Sequence, residues 1–170
     1  MLDEATGFAV MDGRVRDEWI DINGHMNVAY YLLAFDLAVD ALWTHFGIDD
    51  DYVARRQMST FAVESHVEYL RELRPDAPYT VTTQILAVDG KRLHQFQRMY
   101  HRDEGFLAAS CEWMNLHVDL SVRRVCPWPD DVLEQILEFA RRQPARDWPS
   151  SAGSQMRVKS PMYSQHSGGE

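Results

Sequence analysis

Asp21 stands three residues ahead of Gly24 in Trp19-Ile20-Asp21-Ile22-Asn23-Gly24-His25-Met26-Asn27, a polar turn that runs into the apolar stretch Val28-Ala29-Tyr30-Tyr31-Leu32-Leu33. A carboxylate at the start of a helix lies where backbone N–H groups are unpaired and the helix dipole is positive. Those N–H groups can hold a carbonyl oxygen as charge builds on it, and one such donor lowers a barrier by ~3 kcal/mol. An acid beside such a pocket suffices for acyl transfer from an already reactive ester, without a Ser-His-Asp relay. Gly24 frees the backbone for a tight turn. His25 could orient Asp21 or the acyl group, or it could simply bond a carbonyl of the turn. A lone Asp-x-Asn-Gly also has a plainer use, in which Asp21 and Asn23 only make Asx-turn and capping bonds.

The turn needs a helix behind it and a sheet beneath it. From Val28 to about Phe46 the pattern is helical, with Asn27 as N-cap and Gly47 as C-cap. Tyr30, Leu33, Ala34, Leu37, Ala38, Ala41 and Leu42 form one stripe, and Tyr31, Leu32, Phe35, Val39 and Trp43 add apolar groups on other faces. Only Asp36 and Asp40 ask for solvent or a partner. A helix this apolar all round is expected to be buried. Ahead of it, Phe8 to Arg16 reads as a short strand ending at Asp17-Glu18-Trp19. After it comes an acidic connector, then an alternating run from Ser59 to Leu73, closed by Pro75 to Pro78. Tyr79 to Val88, Arg92 to His101 and Phe106 to Val118 read as three more strands, joined at Asp89-Gly90 and at Asp103-Glu104-Gly105. The Asp-Gly join predicts an antiparallel hairpin. Pro127-Trp128-Pro129 ends the sheet and Asp130 to Arg141 predicts a short helix. A single domain over residues 1–142 follows, with a flexible tail over 143–170, where Ser, Gly, Pro and Gln accumulate. One strand, one long helix and a meander of antiparallel strands make an α+β arrangement.

A net charge of −9 supplies no phosphate-neutralising field, which argues against nucleic acid as a partner. A polyanionic ligand therefore needs a local basic patch. The two cysteines, Cys111 and Cys126, have no CxxC spacing, so neither a disulfide framework nor a metal site is expected. Residues Met1 to Val10 carry acids where a secretory leader has a basic region, and no apolar run approaches the ~18 residues of a membrane span. These features predict a cytoplasmic protein with no membrane partner.

The string from Trp19 to Phe35, in front of an apolar helix and a meander, resembles the active-site turn of hotdog-fold acyl-CoA thioesterases of the 4-hydroxybenzoyl-CoA thioesterase-like family. The family pattern falls here on Asp21, Gly24, His25, Asn27, Tyr30 and Phe35. The resemblance covers most of Phe8 to about Pro127, with its specificity concentrated in the turn. It implies a hotdog fold, in which an antiparallel sheet wraps a long central helix. It further implies that Asp21 is nucleophile or general base, while Gly24 and Val28 contribute backbone geometry and N–H groups. Coenzyme A enters as part of the substrate, and no separate cofactor is implied. A homodimer or homotetramer is expected, because a hotdog subunit leaves its helix and sheet edge incompletely covered. Trp19, two positions ahead of the acid, departs from the commoner pattern with a second Asp there. The form Trp-Ile-Asp-x-Asn-Gly-His-Met-Asn looks like the thioesterases of carnitine breakdown, which act on betainyl-CoA. Its trimethylammonium group is best held by aromatic faces with an acid nearby. Trp19, Tyr30, Trp43 and Trp113 are the candidate cage, although tryptophans also fill cores.

Asn27 and Glu64 complete the candidate substrate contacts, Glu64 as a second polar group facing the helix start or as an ordinary strand residue. His66 and Glu68 share its face. For the nucleotide end of coenzyme A the choices are Lys91, Arg92 and Arg123, from a set that also holds Arg71, Arg74, Arg98 and Arg124. Cys111 receives no catalytic role. Two other functions fit parts of the pattern. A hotdog acyl-CoA hydratase or dehydratase would pair Asp21 with His25 to move a proton, and hydration of crotonyl-CoA against thiol release separates it. A non-catalytic acyl-CoA-binding protein would need an output module, and neither end supplies a basic helix pair.

Overall fold

Three long, largely buried strands and a fourth, more exposed one build one antiparallel sheet whose concave face takes an 18-residue helix. The computed structural model describes residues 2–3, 8–143, 147–154 and 156. In chain order the elements are β1 (Leu2–Asp3), β2 (Phe8–Arg14), a 3-10 turn (Asp17–Trp19), α1 (Val28–His45), α2 (Asp50–Arg56) and β3 (Met58–Tyr69). They continue with β4 (Pro78–Val88), β5 (Arg92–His101), β6 (Leu107–Asp119), β7 (Arg124–Val125) and α3 (Asp130–Arg142). The sheet order is β1-β2-β4-β5-β6-β3, with β7 paired to β6. Register shifts at Ala62/Glu64, Ile85/Ala87 and Met99/Tyr100 bend it around α1. This is the hotdog arrangement, and the connectivity expected of the meander is present, including the Asp89-Gly90 hairpin.

The core lies between α1 and the concave face, where Ala34, Phe35, Ala38 and Leu42 meet Val81, Leu93, Met99 and Trp113. A buried polar chain fixes the helix in the hollow. Gln97 Nε2 donates to the Phe35 carbonyl at 3.1 Å, and Trp113 Nε1 donates to Gln97 Oε1 at 2.8 Å.

Three expectations need correction. The buried stripe of α1 is Tyr31, Ala34, Phe35, Ala38, Val39, Leu42 and Trp43, while Leu33 and Leu37, assigned to the stripe, are exposed. Apolar residues on every face give the sequence no means of choosing which of them turn inward. The acidic connector is a helix: Asp49 Oδ1 accepts from Tyr52 N at 2.8 Å, Asp50 and Asp51 sit in the first turn, Arg55 and Arg56 in the last. Seven residues are too few for a helical period to show. The tail from 143 lies partly outside the described residues, but its described part makes specific contacts. Gln143 brackets Ile85, accepting from its N–H and donating to its carbonyl, Trp148 stands edge-on to His94, and Gly153 N–H donates to Glu112. No described helix is long and apolar enough to cross a membrane.

Candidate active site

The turn forms because its backbone closes on itself. Asp21 N–H donates to the His25 carbonyl and Gly24 N–H to the Asp21 carbonyl, each at 3.0 Å, and Ile20 pairs with Met26. Gly24 takes φ +79°, a value that only glycine reaches without strain. The loop between β3 and β4 clamps the turn from below. Met26 N–H donates to the Leu73 carbonyl at 2.8 Å, and Leu73 N–H donates to the buried Tyr31 hydroxyl at 2.9 Å. At the other side Tyr69 Oη donates to the Val28 carbonyl at 3.4 Å and its ring meets Tyr31 edge-on. Neither Tyr31, Tyr69 nor Leu73 is visible as a site residue in the sequence, since each reads as ordinary core or strand.

Asp21 is locked by Asn23. Oδ1 accepts from Asn23 N–H at 2.8 Å and Oδ2 from Asn23 Nδ2 at 3.3 Å. The side chain keeps 19% of its surface open, so it is neither buried nor loose in solvent. The plainer Asx-turn reading is therefore realised, yet each oxygen retains a lone pair for another partner. His25 stands aside: Nδ1 is 3.9 Å from Asp21 Oδ1, beyond hydrogen bonding, and 3.3 Å from the Met26 carbonyl. Asn27 Oδ1 accepts from Ala29 N–H at 3.0 Å, so it caps α1 as its position predicts. Val28 follows as the first helical residue.

Trp19 and Tyr30 stack with centroids 5.3 Å apart and planes 11° from parallel, and the Arg16 guanidinium lies 5.2 Å from the Trp19 ring centre. The other two proposed cage members are elsewhere. Trp43 is 13 residues further along α1 than Tyr30, roughly 20 Å at helical rise, against Phe46 and Trp128. Trp113 is buried under the helix. Glu64 also fails to meet the turn. It pairs with Met114 on the sheet face away from α1 and lines a cavity of about 290 Å³ with His66, His94 and Glu112. The register shift at Ala62/Glu64 makes this strand's facing unreadable from alternation alone.

Lys91 and Arg92 occupy the hairpin at the far end of the sheet, ten residues of β4 or ~33 Å from the end that carries the turn. There Arg92 Nε donates to Asp89 Oδ2 at 2.7 Å, which with the Lys91 N–H holds the Asp89 carboxyl down to about 2. Arg123 lies at the same far end, its guanidinium 5.8 Å from the Phe61 ring centre. Cys111 is wholly buried, and burial pushes its thiol up, away from any nucleophilic use.

The family profile described as "Thioesterase-like superfamily" matches residues 15–136. A betainyl-CoA thioesterase of Pseudomonas aeruginosa is 37% identical over 139 residues, covering 82% of this chain and 87% of that protein. An L-carnitine dehydrogenase/betainyl-CoA thioesterase of Ruegeria pomeroyi is 37% identical over 140 residues, 82% of this chain but 28% of the longer protein. Among solved structures, a Staphylococcus aureus protein in complex with CoA superposes with TM-score 0.85 at 29% identity, over 89% of this chain and 96% of that one.

Proposed function

This chain belongs to the thioesterase-like superfamily and is an acyl-CoA thioester hydrolase, and from that premise we propose that it cleaves betainyl-CoA to glycine betaine and coenzyme A, with Asp21 as the catalytic carboxylate. The observation that carries the reading is the clamped carboxylate. Asn23 fixes both Asp21 oxygens ahead of α1, and in this reading the N–H of Val28, the first residue of the helix, serves as donor to the thioester oxygen. Either Asp21 attacks the carbonyl carbon, the coenzyme A thiolate leaves and water hydrolyses the resulting anhydride, or Asp21 draws the proton from a water that attacks the carbonyl carbon directly and the thiolate leaves. Gly24 holds the turn open for this and His25 steadies its backbone.

The acyl group has its own geometry. In betaine the nitrogen is two bonds from the carbonyl carbon, ~2.5 Å away, so the ammonium lies beside the reacting atoms. The Trp19–Tyr30 stack is near enough, since Tyr30 is two residues past Val28, and Asn27 borders the same corner. Trp43 and Trp113 of the same chain are not.

We take the enzyme to be a homodimer formed through β3. One side of this 12-residue strand pairs with β6 and the other is the sheet's edge, with Phe61, Val63 and Tyr69 exposed along it. Antiparallel pairing of two copies about the strand's middle sets the Met58 end of one beside the Tyr69 end of the other. That pairing carries Arg123 of the partner subunit, with Lys91 and Arg92 of the partner subunit behind it, toward the turn as cations for the coenzyme A phosphates. Residues 1–142 form the thioesterase domain in this reading, and the reaction belongs to the cytoplasm, where acyl-CoA is made.

Thiol release from betainyl-CoA and from its neutral isostere 3,3-dimethylbutyryl-CoA tests the proposal. The charged substrate should react at least ~100-fold faster in kcat/KM, the ~3 kcal/mol expected of a desolvated cation site. Equal rates end the betainyl assignment, and hydration of crotonyl-CoA without thiol release would end the hydrolytic one.

A further inference from the structure

The start of α1 is tied to the sheet by a closed circuit of hydrogen bonds that passes through one side chain, the phenol of Tyr31. Leu73, in the loop between β3 and β4, uses both of its backbone groups in it. Its carbonyl accepts from Met26 N–H at 2.8 Å, and its N–H donates to Tyr31 Oη at 2.9 Å. We propose that Tyr31 is a positioning residue for thioester hydrolysis: through Leu73 its hydroxyl sets the Asn27–Val28 peptide, whose N–H receives the thioester oxygen. The proposal rests on the betainyl-CoA and Val28 readings above.

The donors at the helix start show why that peptide needs setting. Asn27 N–H donates to the Trp19 carbonyl at 2.8 Å, Ala29 N–H to Asn27 Oδ1 at 3.0 Å and Tyr30 N–H to the Asn27 carbonyl at 3.0 Å. Among the described residues the Val28 N–H has no acceptor. Its direction is therefore set by what holds its neighbours. Tyr31 is three residues past Val28, on the same helix face, and a helical side chain leans toward the N-terminus. The circuit is dry, with Met26, Tyr31 and Leu73 exposed by 1%, 4% and 0%, so water does not stand in for the phenol.

The loop is pinned elsewhere as well. Leu70 and Arg71 N–H both donate to the Ala108 carbonyl, at 2.9 and 3.0 Å, and Asp76 N–H donates to the Val15 carbonyl at 3.0 Å. Removing the phenol oxygen thus leaves both ends of the loop in place and frees its middle. There the buried Leu73 N–H has to turn toward another acceptor, because leaving it open is uphill. Met26 and the peptide beyond it follow. Beside reacting atoms a shift of ~1 Å costs on the order of 100-fold in rate.

Tyr31→Phe removes that oxygen alone. On betainyl-CoA, kcat should fall at least tenfold while KM stays within about twofold of wild type. Two readouts separate this from a merely structural role. Leu42→Ala, a truncation in the buried core ~21 Å along α1 from Val28, should lower the melting temperature at least as much yet keep its kcat. A ketone analogue of betainyl-CoA, with methylene in place of sulfur and a carbon-13 carbonyl, reports the hydrogen bond directly. Wild type and Leu42→Ala should move its resonance from the free value, and Tyr31→Phe should return it most of the way. Unchanged kcat in Tyr31→Phe, an equal loss in Leu42→Ala, or a lower kcat with the resonance unmoved overturns the proposal. If Tyr31→Phe does not fold, Tyr31→4-aminophenylalanine, a weaker acceptor of the same shape, should show both effects in smaller measure; wild-type values for both overturn it.

Failure of the underlying readings looks different. The betainyl assignment fails on wild type alone, and the variants are then judged on the acyl-CoA that wild type cleaves fastest. The Val28 reading is judged by Val28→Pro. Proline is accepted at the first position of a helix, and Asn27 already holds the φ −66° and ψ 142° that a residue before proline takes. The variant lacks the N–H and should lose about 100-fold or more in kcat. Wild-type turnover by Val28→Pro would mean that Val28 holds no oxygen, whatever Tyr31→Phe does.

Discussion

At the scale of single residues the proposed chemistry depends on Asp21 being placed rather than merely present. Its partner Asn23 supplies both a backbone and a side-chain donor, so the carboxylate stays aimed before any substrate arrives. Asp21→Ala should leave the circular dichroism spectrum and melting temperature close to wild type while thiol release falls by about 10³-fold or more. A fall of only ~10-fold would reduce Asp21 to a positioning role. The placement was readable in the sequence, because Asp21, Gly24 and Asn27 make turn and cap geometry that is local in the chain. What was not readable is non-local: Leu73 and Tyr31 hold the turn across 47 and 42 residues, and nothing in a run of apolar letters announces such a bond.

Among elements, α1 and the meander could be read because long periodic segments carry their own signal, whereas α2 and β7 were too short to do so. The contacts between elements were hidden for a different reason, that they depend on register. Gly13 is opposite Tyr79 in the β2–β4 ladder, and the tyrosine ring lies across the bare glycine. A Cβ at Gly13 would fall 2.2 Å from Tyr79 Cζ, and Tyr79 is buried, so Gly13→Ala must displace a core ring. The variant should lose ~1–3 kcal/mol in urea unfolding with m unchanged. At the far end His117 joins α2 to β6. Its Nδ1–H donates to the Pro127 carbonyl at 2.9 Å, and its Nε2 accepts from the Tyr52 hydroxyl at 2.8 Å. Burial pushes the His117 pKa down, so the folded state holds the neutral ring and the unfolded state takes up a proton first. The stabilisation is therefore complete above about 6.5, the unfolded value, and is lost as pH falls below it. Urea midpoints measured at pH 7.5 and 5.5 should drop more for wild type than for His117→Gln, even though the variant is weaker at both.

For the whole molecule, the proposed dimer accounts for what one chain leaves exposed. Leu32, Leu33 and Leu37 of α1 and Phe61, Val63 and Tyr69 of β3 leave apolar surface that a monomer would not keep open without use. The sequence showed this only as a helix too apolar for one face, and in the proposed dimer the surface that covers it is on another chain. The free β3 edge supplies backbone donors and acceptors in register with themselves under a two-fold axis, and pairing them satisfies what the fold leaves open. Val63 is exposed and near the middle of β3, at the register shift, so a two-fold axis there sets it close to its own copy. Val63→Asp would place two carboxylates across that axis, where like charges at close range in a partly dry interface cost several kcal/mol. Light scattering behind a sizing column should then show mass near the 19.7 kDa of one chain where wild type shows about twice that. Thiol release should fall with the dimer fraction and return as protein concentration rises, because in the proposed dimer the turn of each copy borrows its cations from the other. Full activity in a preparation that stays monomeric at assay concentration would mean that each subunit completes its own site, and the dimer reading would have to be abandoned.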